Sequence, residues 1–298
     1  MKLATTTGDF QAYTKNQDYA ISEIKRAGFK YVDYSFIMDY KNNNGIFGEN
    51  FDEHIESMKR LSDKLQVKFV QSHSPMGDPL ANNTAFIEAT NKCIVACAKL
   101  GIKNLVVHSG YEKGISKEEN FYRNKEFYEK LFPTAEKYEV NILTENFNKM
   151  FDPQIYWMDN AKDLREFIDF VDHPLFHCCW DTGHANLQEM PQDEELRILG
   201  KDVYALHVQD NHGRGDYHMA PFFGSLNLDC LMHGLENVGY NGYFTFEADS
   251  MLCASYRKRV YNKDSRLLVP PIDIKRKTER LLYDIGKHIL TSYNCFDE

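Results

Sequence analysis

Nowhere in the 298 residues does a run approach the ~18 apolar residues that a membrane-spanning helix requires. The first residues, MKLATTTGDFQAY, carry no apolar core of a secretory leader, so a cytoplasmic protein with no membrane partner is expected. A basic excess is missing too: 35 Lys plus Arg face 44 Asp plus Glu, for a net charge of −9. An acidic body repels phosphate backbones at long range, which argues against nucleic acid as a partner. Paired cysteines are also lacking. The seven cysteines, at 93, 97, 178, 179, 230, 253 and 295, form neither an even set nor a regular spacing. Buried free thiols in a reducing compartment are expected. The CxxxC pair of Cys93 and Cys97 has no second pair with which to hold zinc. No linker, low-complexity tract or charge block divides the chain, so residues 1–298 are expected to form one domain.

What the chain does have is alternation. Short β-branched or apolar runs predict strands at Leu3–Thr6, Tyr31–Ser35, Lys68–Gln71, Asn104–Val107, Asn141–Thr144, His177–Trp180, Ala205–Val208 and Tyr243–Phe246. Between them, apolar residues recur at spacings of three and four, as at Ile55, Met58, Leu61 and Leu65. That period predicts helices over Phe51–Leu65, Thr84–Leu100, Lys125–Tyr138, Ala161–Val171, Leu226–Val238 and Lys275–Thr291. Gly28 and Gly101 stand where helix-ending glycines belong. Strict strand–helix alternation implies a parallel sheet wrapped in helices. The count fits a single (β/α)8 barrel, the TIM barrel, which commonly takes ~250 residues. Residues 37–50 and 248–272 read as long loops on the face where such barrels build their sites.

The sharpest signal is where the ionisable residues fall. The residue closing or following each run from the third to the eighth is His73, His108, Glu145, Asp181, His207 and Glu247. Their intervals of 35, 37, 36, 26 and 40 residues are each close to one strand–helix unit, so a barrel gathers all six at one mouth. Core packing alone would leave apolar residues there. Carboxylates mixed with imidazoles suit one divalent ion, Mn²⁺ first, with Mg²⁺, Co²⁺ or Zn²⁺ as alternatives. Glu145, Asp181, His207 and Glu247 together carry three negative charges, a repulsion that a dication relieves. His184 follows closely after Asp181, and Asp210, His212, Arg214, Asp216 and His218 crowd the stretch after the seventh strand. That loop is placed to reach substrate or metal.

These motifs resemble a known family. SHSP (72–75), VVHSG (106–110), TENF (144–147), DTGHA (181–185), LHVQDN (206–211), GDYHMAP (215–221) and FEAD (246–249) are similar to those of sugar-phosphate isomerases and epimerases with a xylose-isomerase-like barrel. The resemblance runs over about residues 1–295. It implies one divalent metal on Glu145, Asp181, His207 and Glu247. Its ketose 3-epimerase branch implies that Glu145 and Glu247 also act as the acid/base pair. Substrate contacts fall on His184 and Arg214 by the same resemblance, with His73, His108, Asp216 and His218 around them. A small carbohydrate as partner, a place in carbohydrate metabolism and a homo-oligomer are implied as well.

The chemistry is coherent. A proton removed from a carbon beside a carbonyl leaves an enediolate, which a metal stabilises while carboxylates move the proton. The same intermediate leads to an epimer, an isomer or a dehydrated product. Lyases of this fold, inosose dehydratase-like or C-glycoside-cleaving, are therefore the alternative. An apurinic endonuclease with three zinc ions is a further one, since His73, His108, Glu145, Asp181, His184, His207, Asp216, His218 and Glu247 trace its ligand pattern. Against it, TENFNKM lacks the Gly-containing segment of those nucleases. The basic stretch 256–259, with Lys263 and Arg266, could seat a substrate phosphate. Rings at Tyr40, Phe47, Phe147, Phe151, Tyr156, Trp157 and Tyr256 suit the C–H faces of a sugar.

Overall fold

Eight parallel strands form one sheet: β1 Lys2–Thr6, β2 Tyr31–Ser35, β3 Lys68–His73, β4 Asn104–Val106, β5 Asn141–Glu145, β6 Phe176–Asp181, β7 Val203–His207 and β8 Tyr243–Phe246. The computed structural model describes residues 1–148, 158–188, 190–253 and 265–298. From β1 to β7 each strand pairs with the next in chain order, and β8 returns to pair with β1. Between β7 and β8, Val208 N donates to Thr245 O at 2.7 Å and Glu247 N to Val208 O at 3.1 Å. Those bonds bring the sheet round to a nearly closed TIM barrel, with helices between the strands.

Helices Phe51–Leu65, Thr84–Leu100 and Ala161–Val171 span the residues that their apolar spacing predicts. Gly28 and Gly101 end their helices in the left-handed conformation, at φ 119° and 77°. In 248–272, expected as loop, Ser250–Cys253 is helical and residues 254–264 lie outside the described residues. Two further expectations change. The helix expected over Lys125–Tyr138 is two helices, Lys117–Glu129 and Phe132–Tyr138. Pro133 explains the break: it has no N–H to continue the first helix, yet is harmless in the first turn of the second. Residues 37–50, expected as loop, carry the helix Phe36–Asn42 and the 3-10 turn Gly45–Phe47, with Phe36, Met38 and Ile46 buried. Six described cysteines are free, and Cys230 and Cys295 are only half-buried. No helix among the described residues is long and apolar enough to cross a membrane.

Two cores result. The larger lies between sheet and helices. The smaller fills the barrel interior with Val106, Leu143, Cys179 and Ala205, one each from β4, β5, β6 and β7. Side chains alternate along a strand. Residues two further on therefore face the same way, towards the C-terminal mouth: Glu145 above Leu143, Asp181 above Cys179 and His207 above Ala205. Two register shifts keep this phase. One, between Val32 and Asp33, skips Val70, and the other, between Cys178 and Cys179, skips Tyr204. They set Asp33 beside Gln71 and Asp181 beside His207.

Candidate metal centre

Glu145 stands at the middle of the mouth. Its Oε2 lies 3.0 Å from His108 Nε2 and 3.2 Å from His207 Nδ1, and its Oε1 lies 3.4 Å from His184 Nδ1. Glu247 Oε2 approaches the same His207 Nδ1 at 3.5 Å. Three groups of side chains place ligand atoms within 4.8 Å of one another: Glu145, Asp181, His207 and Glu247; His73, His108 and Glu145; and His184, Asp216 and His218.

Local chemistry explains the convergence. Asp181 ends β6 and caps the short helix Thr182–Asn186, its Oδ1 accepting from His184 N at 2.6 Å. That cap swings His184 over the mouth. Asn146 grips the Asp181 backbone from β5, donating to its carbonyl at 2.9 Å and accepting from its N–H at 2.7 Å. Gln209 Nε2 bridges Asp181 Oδ1 at 3.2 Å and Asp216 Oδ1 at 2.9 Å. Gly183 makes room for that amide, because a Cβ there would stand 2.0 Å from Gln209 Oε1. The loop after β7 is pinned by Asp210, whose buried carboxylate accepts from Asn211, Gly224 and Leu226 N–H groups at 2.7, 2.9 and 2.9 Å.

Three of the clustered imidazoles anchor their second nitrogen on the backbone. The Nδ1 atoms of His73, His184 and His218 lie 2.7, 2.9 and 3.0 Å from the carbonyl oxygens of Ser74, Asn146 and Glu247. Donation there leaves Nε2 free for the cluster. His207 is turned the other way, Nδ1 towards the carboxylates.

Do these residues fit a divalent ion? Asp181 Oδ2 and His207 Nδ1 are buried without a hydrogen-bond partner, and both belong to the four-residue group. Buried polar atoms of that kind ordinarily have a partner. The protonation pattern agrees. Burial opposes charge on His184, His207 and His218, yet the anionic groups around them lift all three well above the usual imidazole range. Burial would also raise Glu145, but His207 and His108 hold it well below the usual carboxylate range. Glu247 goes the other way: burial, only partly offset by His207 and His218, pushes it up to about 8. Burial and the neighbouring His108 push His73 down to about 3. Protons thus supply the positive charge that a dication would supply in their place. Borderline nitrogen and hard oxygen donors, with no thiolate, suit Mn²⁺, Co²⁺ or Zn²⁺.

Nine of the twelve ionisable residues singled out from the sequence meet here; Asp210 instead pins the loop backbone, and His212 is exposed. Arg214 is exposed on the loop. Phe147 lies beside His108 and His184, ring centroids 5.3 and 4.8 Å away. Tyr40 and Phe47 pack on each other instead. Phe151, Tyr156, Trp157 and Tyr256 lie outside the described residues, as does the basic stretch except Arg266, which is exposed. Sequence reasoning missed Asp33, Gln71, Asn146 and Gln209. Asp33 did leave a signal, as the one charged residue in the strand run YVDYS.

The chain matches the family described as xylose isomerase-like TIM barrel over residues 21–268. An uncharacterised protein of Methanocaldococcus jannaschii is 25% identical over 76% of this chain and 80% of its own length. Fructoselysine 3-epimerase of Escherichia coli O157:H7 is 30% identical over 31% of this chain and 34% of its own. Among solved structures, D-psicose 3-epimerase of Clostridium cellulolyticum H10 with D-tagatose superposes at a TM-score of 0.74 and 16% identity, covering 97% and 99% of the two chains.

Proposed function

The chain belongs to the xylose isomerase-like TIM barrel family, and from that premise we propose a divalent-metal-dependent isomerase or epimerase of a ketose or related sugar. One observation carries the reading: two glutamates, Glu145 from β5 and Glu247 just past β8, converge on one histidine nitrogen, 3.2 and 3.5 Å away. The ion, Mn²⁺ first among the candidates, would be held by Glu145, Asp181, His207 and Glu247. When bound, it supplies Lewis-acid stabilisation of negative charge on the substrate oxygens. One glutamate takes a proton from the carbon beside the carbonyl, and the other returns a proton to the opposite face. Return to the same carbon gives an epimer; delivery to the neighbouring carbon gives an isomer. His184 and Asp216, 3.3 Å apart, are the polar groups that would hold substrate hydroxyls. A small cavity of about 40 Å³ opens beside His73 and Glu247, with Thr6, Gln11 and Ser35 on its wall.

The test is incubation with Mn²⁺ and a panel of ketoses, inososes and sugar phosphates in D₂O. Proton NMR should show solvent deuterium entering beside the carbonyl of one sugar and an epimer or isomer accumulating. Turnover should fall about a thousandfold in Glu145→Gln or Glu247→Gln. A dehydrated product would move the reading to the lyases, and turnover undiminished by EDTA would remove the metal from it.

A second reading rests on the other two ligand groups. His73, His108 and Glu145, with His184, Asp216 and His218, offer places for two more ions, and three zinc ions suit hydrolysis of a phosphodiester at an abasic site. The net charge of −9 counts against a DNA substrate. Three zinc ions per chain together with nicking of abasic duplex would establish this reading over the first.

A further inference from the structure

His207 differs from the other clustered histidines in what holds its outer nitrogen. Those of His73, His184 and His218 face backbone carbonyls. His207 Nε2 instead lies 3.5 Å from Asp33 Oδ2, a carboxylate carried across the barrel by β2 and only 1% exposed. Asp33 is itself held. Gln71 Nε2 donates to the same Oδ2 at 2.8 Å and to Leu206 O at 3.2 Å. Thr245 Oγ1 donates to Gln71 Oε1 at 3.2 Å, so the amide is fixed with its NH₂ towards Asp33. The register shift that skips Val70 is what makes Asp33 and Gln71 neighbours. In an unshifted ladder Asp33 would stand beside Val70, whose side chain offers it no hydrogen bond.

We infer that Asp33 is the positioning residue for His207, accepting at Nε2 so that Nδ1 stays turned to Glu145, Asp181 and Glu247. A neutral imidazole carries one N–H, and an acceptor at one nitrogen decides which. With the proton drawn to Nε2, the Nδ1 lone pair is left for an ion. A carboxylate also raises the basicity of that nitrogen more than a carbonyl does. Asp33 thus selects the tautomer, aims the ring and strengthens the one imidazole in the four-residue group. This role rests on the metal part of the function proposed above.

The experiment measures Co²⁺ affinity by chelator competition for the wild type, Asp33→Ala and Asp33→Asn, with circular dichroism of each apo protein as a fold check. Asp33→Ala should weaken binding about 10- to 100-fold. Asp33→Asn keeps an acceptor oxygen but loses the charge, and should fall in between. A readout that general loosening would not produce is the His207 Nε2–H resonance in ¹⁵N-histidine-labelled, Zn²⁺-loaded protein. It should be exchange-protected and downfield in the wild type and move upfield in Asp33→Asn. Should Asp33→Ala not fold, Asp33→Asn decides on both measurements. A wild type that binds tightly, matched within twofold by a folded Asp33 variant with an unmoved resonance, overturns the role of Asp33 alone. A wild type that takes up no Co²⁺ overturns the metal reading, and this role with it.

Discussion

The floor beneath the ligand groups has two unlike halves. Under β4 to β7 it is apolar, made of Val106, Leu143, Cys179 and Ala205. Under β2, β3 and β8 it is polar, made of Asp33, Gln71 and Thr245, all buried. The apolar half can only fill space and exclude water. The polar half has direction, because every hydrogen bond in it constrains the next and the chain ends at His207. One barrel interior thus divides its labour: packing on one side supports the height of Glu145 and Asp181, and hydrogen bonding on the other aims the imidazole that completes the set. Mutations in the two halves should therefore fail differently, the first in stability alone and the second in metal affinity as well.

The largest effect is expected from Leu143→Ala. Leu143 is fully buried directly beneath Glu145. Truncation loses transfer energy and leaves a cavity that a barrel floor cannot easily collapse, at a cost of about 3 kcal/mol. Urea denaturation of the apo protein would measure it. Co²⁺ affinity should stay within a few-fold of wild type, since no ligand atom is removed. A hundredfold loss of affinity without a loss of stability would erase the distinction between the halves.

Gln71→Met should come next. The volume is kept, but Asp33 Oδ2, Leu206 O and the Thr245 hydroxyl each lose a partner in a buried place. Stranded polar groups cost about 1–3 kcal/mol, so a loss near 2 kcal/mol is expected in the same denaturation assay. Here metal affinity should fall as well, about tenfold, because Asp33 is free to turn away from His207. Stability lost with affinity unchanged would mean that the polar half merely packs.

Much of this was open to reading in the chain, for a physical reason. A charged residue at the end of an apolar run is costly without a purpose, and His108, Glu145, Asp181, His207 and Glu247 repeat that anomaly at barrel spacing. Periodicity likewise placed Phe51–Leu65 and Thr84–Leu100 to the residue. What stayed hidden depends on register. Val70 and Tyr204 look like ordinary strand residues, and nothing in their identity says that the ladder skips them. Without the skip at Val70, Asp33 has no neighbour at Gln71 and no reason to be counted with the site. The exposure of Arg214 has a related cause: its loop is organised by Asp210 gathering three backbone N–H groups, which leaves Arg214 on the outside. Such tertiary hydrogen bonds have no sequence period.

Thr245→Val should give the smallest effect and the sharpest test of direction. Thr245 stands two residues before Glu247 and contributes its hydroxyl to Gln71 Oε1 at 3.2 Å. Valine keeps the β-branched shape that a strand favours, so only that bond is removed, at about 1 kcal/mol. Gln71 keeps its two donations and holds Asp33 less firmly, which should weaken Co²⁺ binding about two- to threefold. Because Thr245 acts on the metal group only through Gln71, combining it with Gln71→Met should add nothing to the loss of affinity. A double-mutant cycle on Co²⁺ affinity measures this directly. Additive losses would mean that Thr245 reaches Glu247 along its own strand, and the polar half would then be two separate supports instead of one chain.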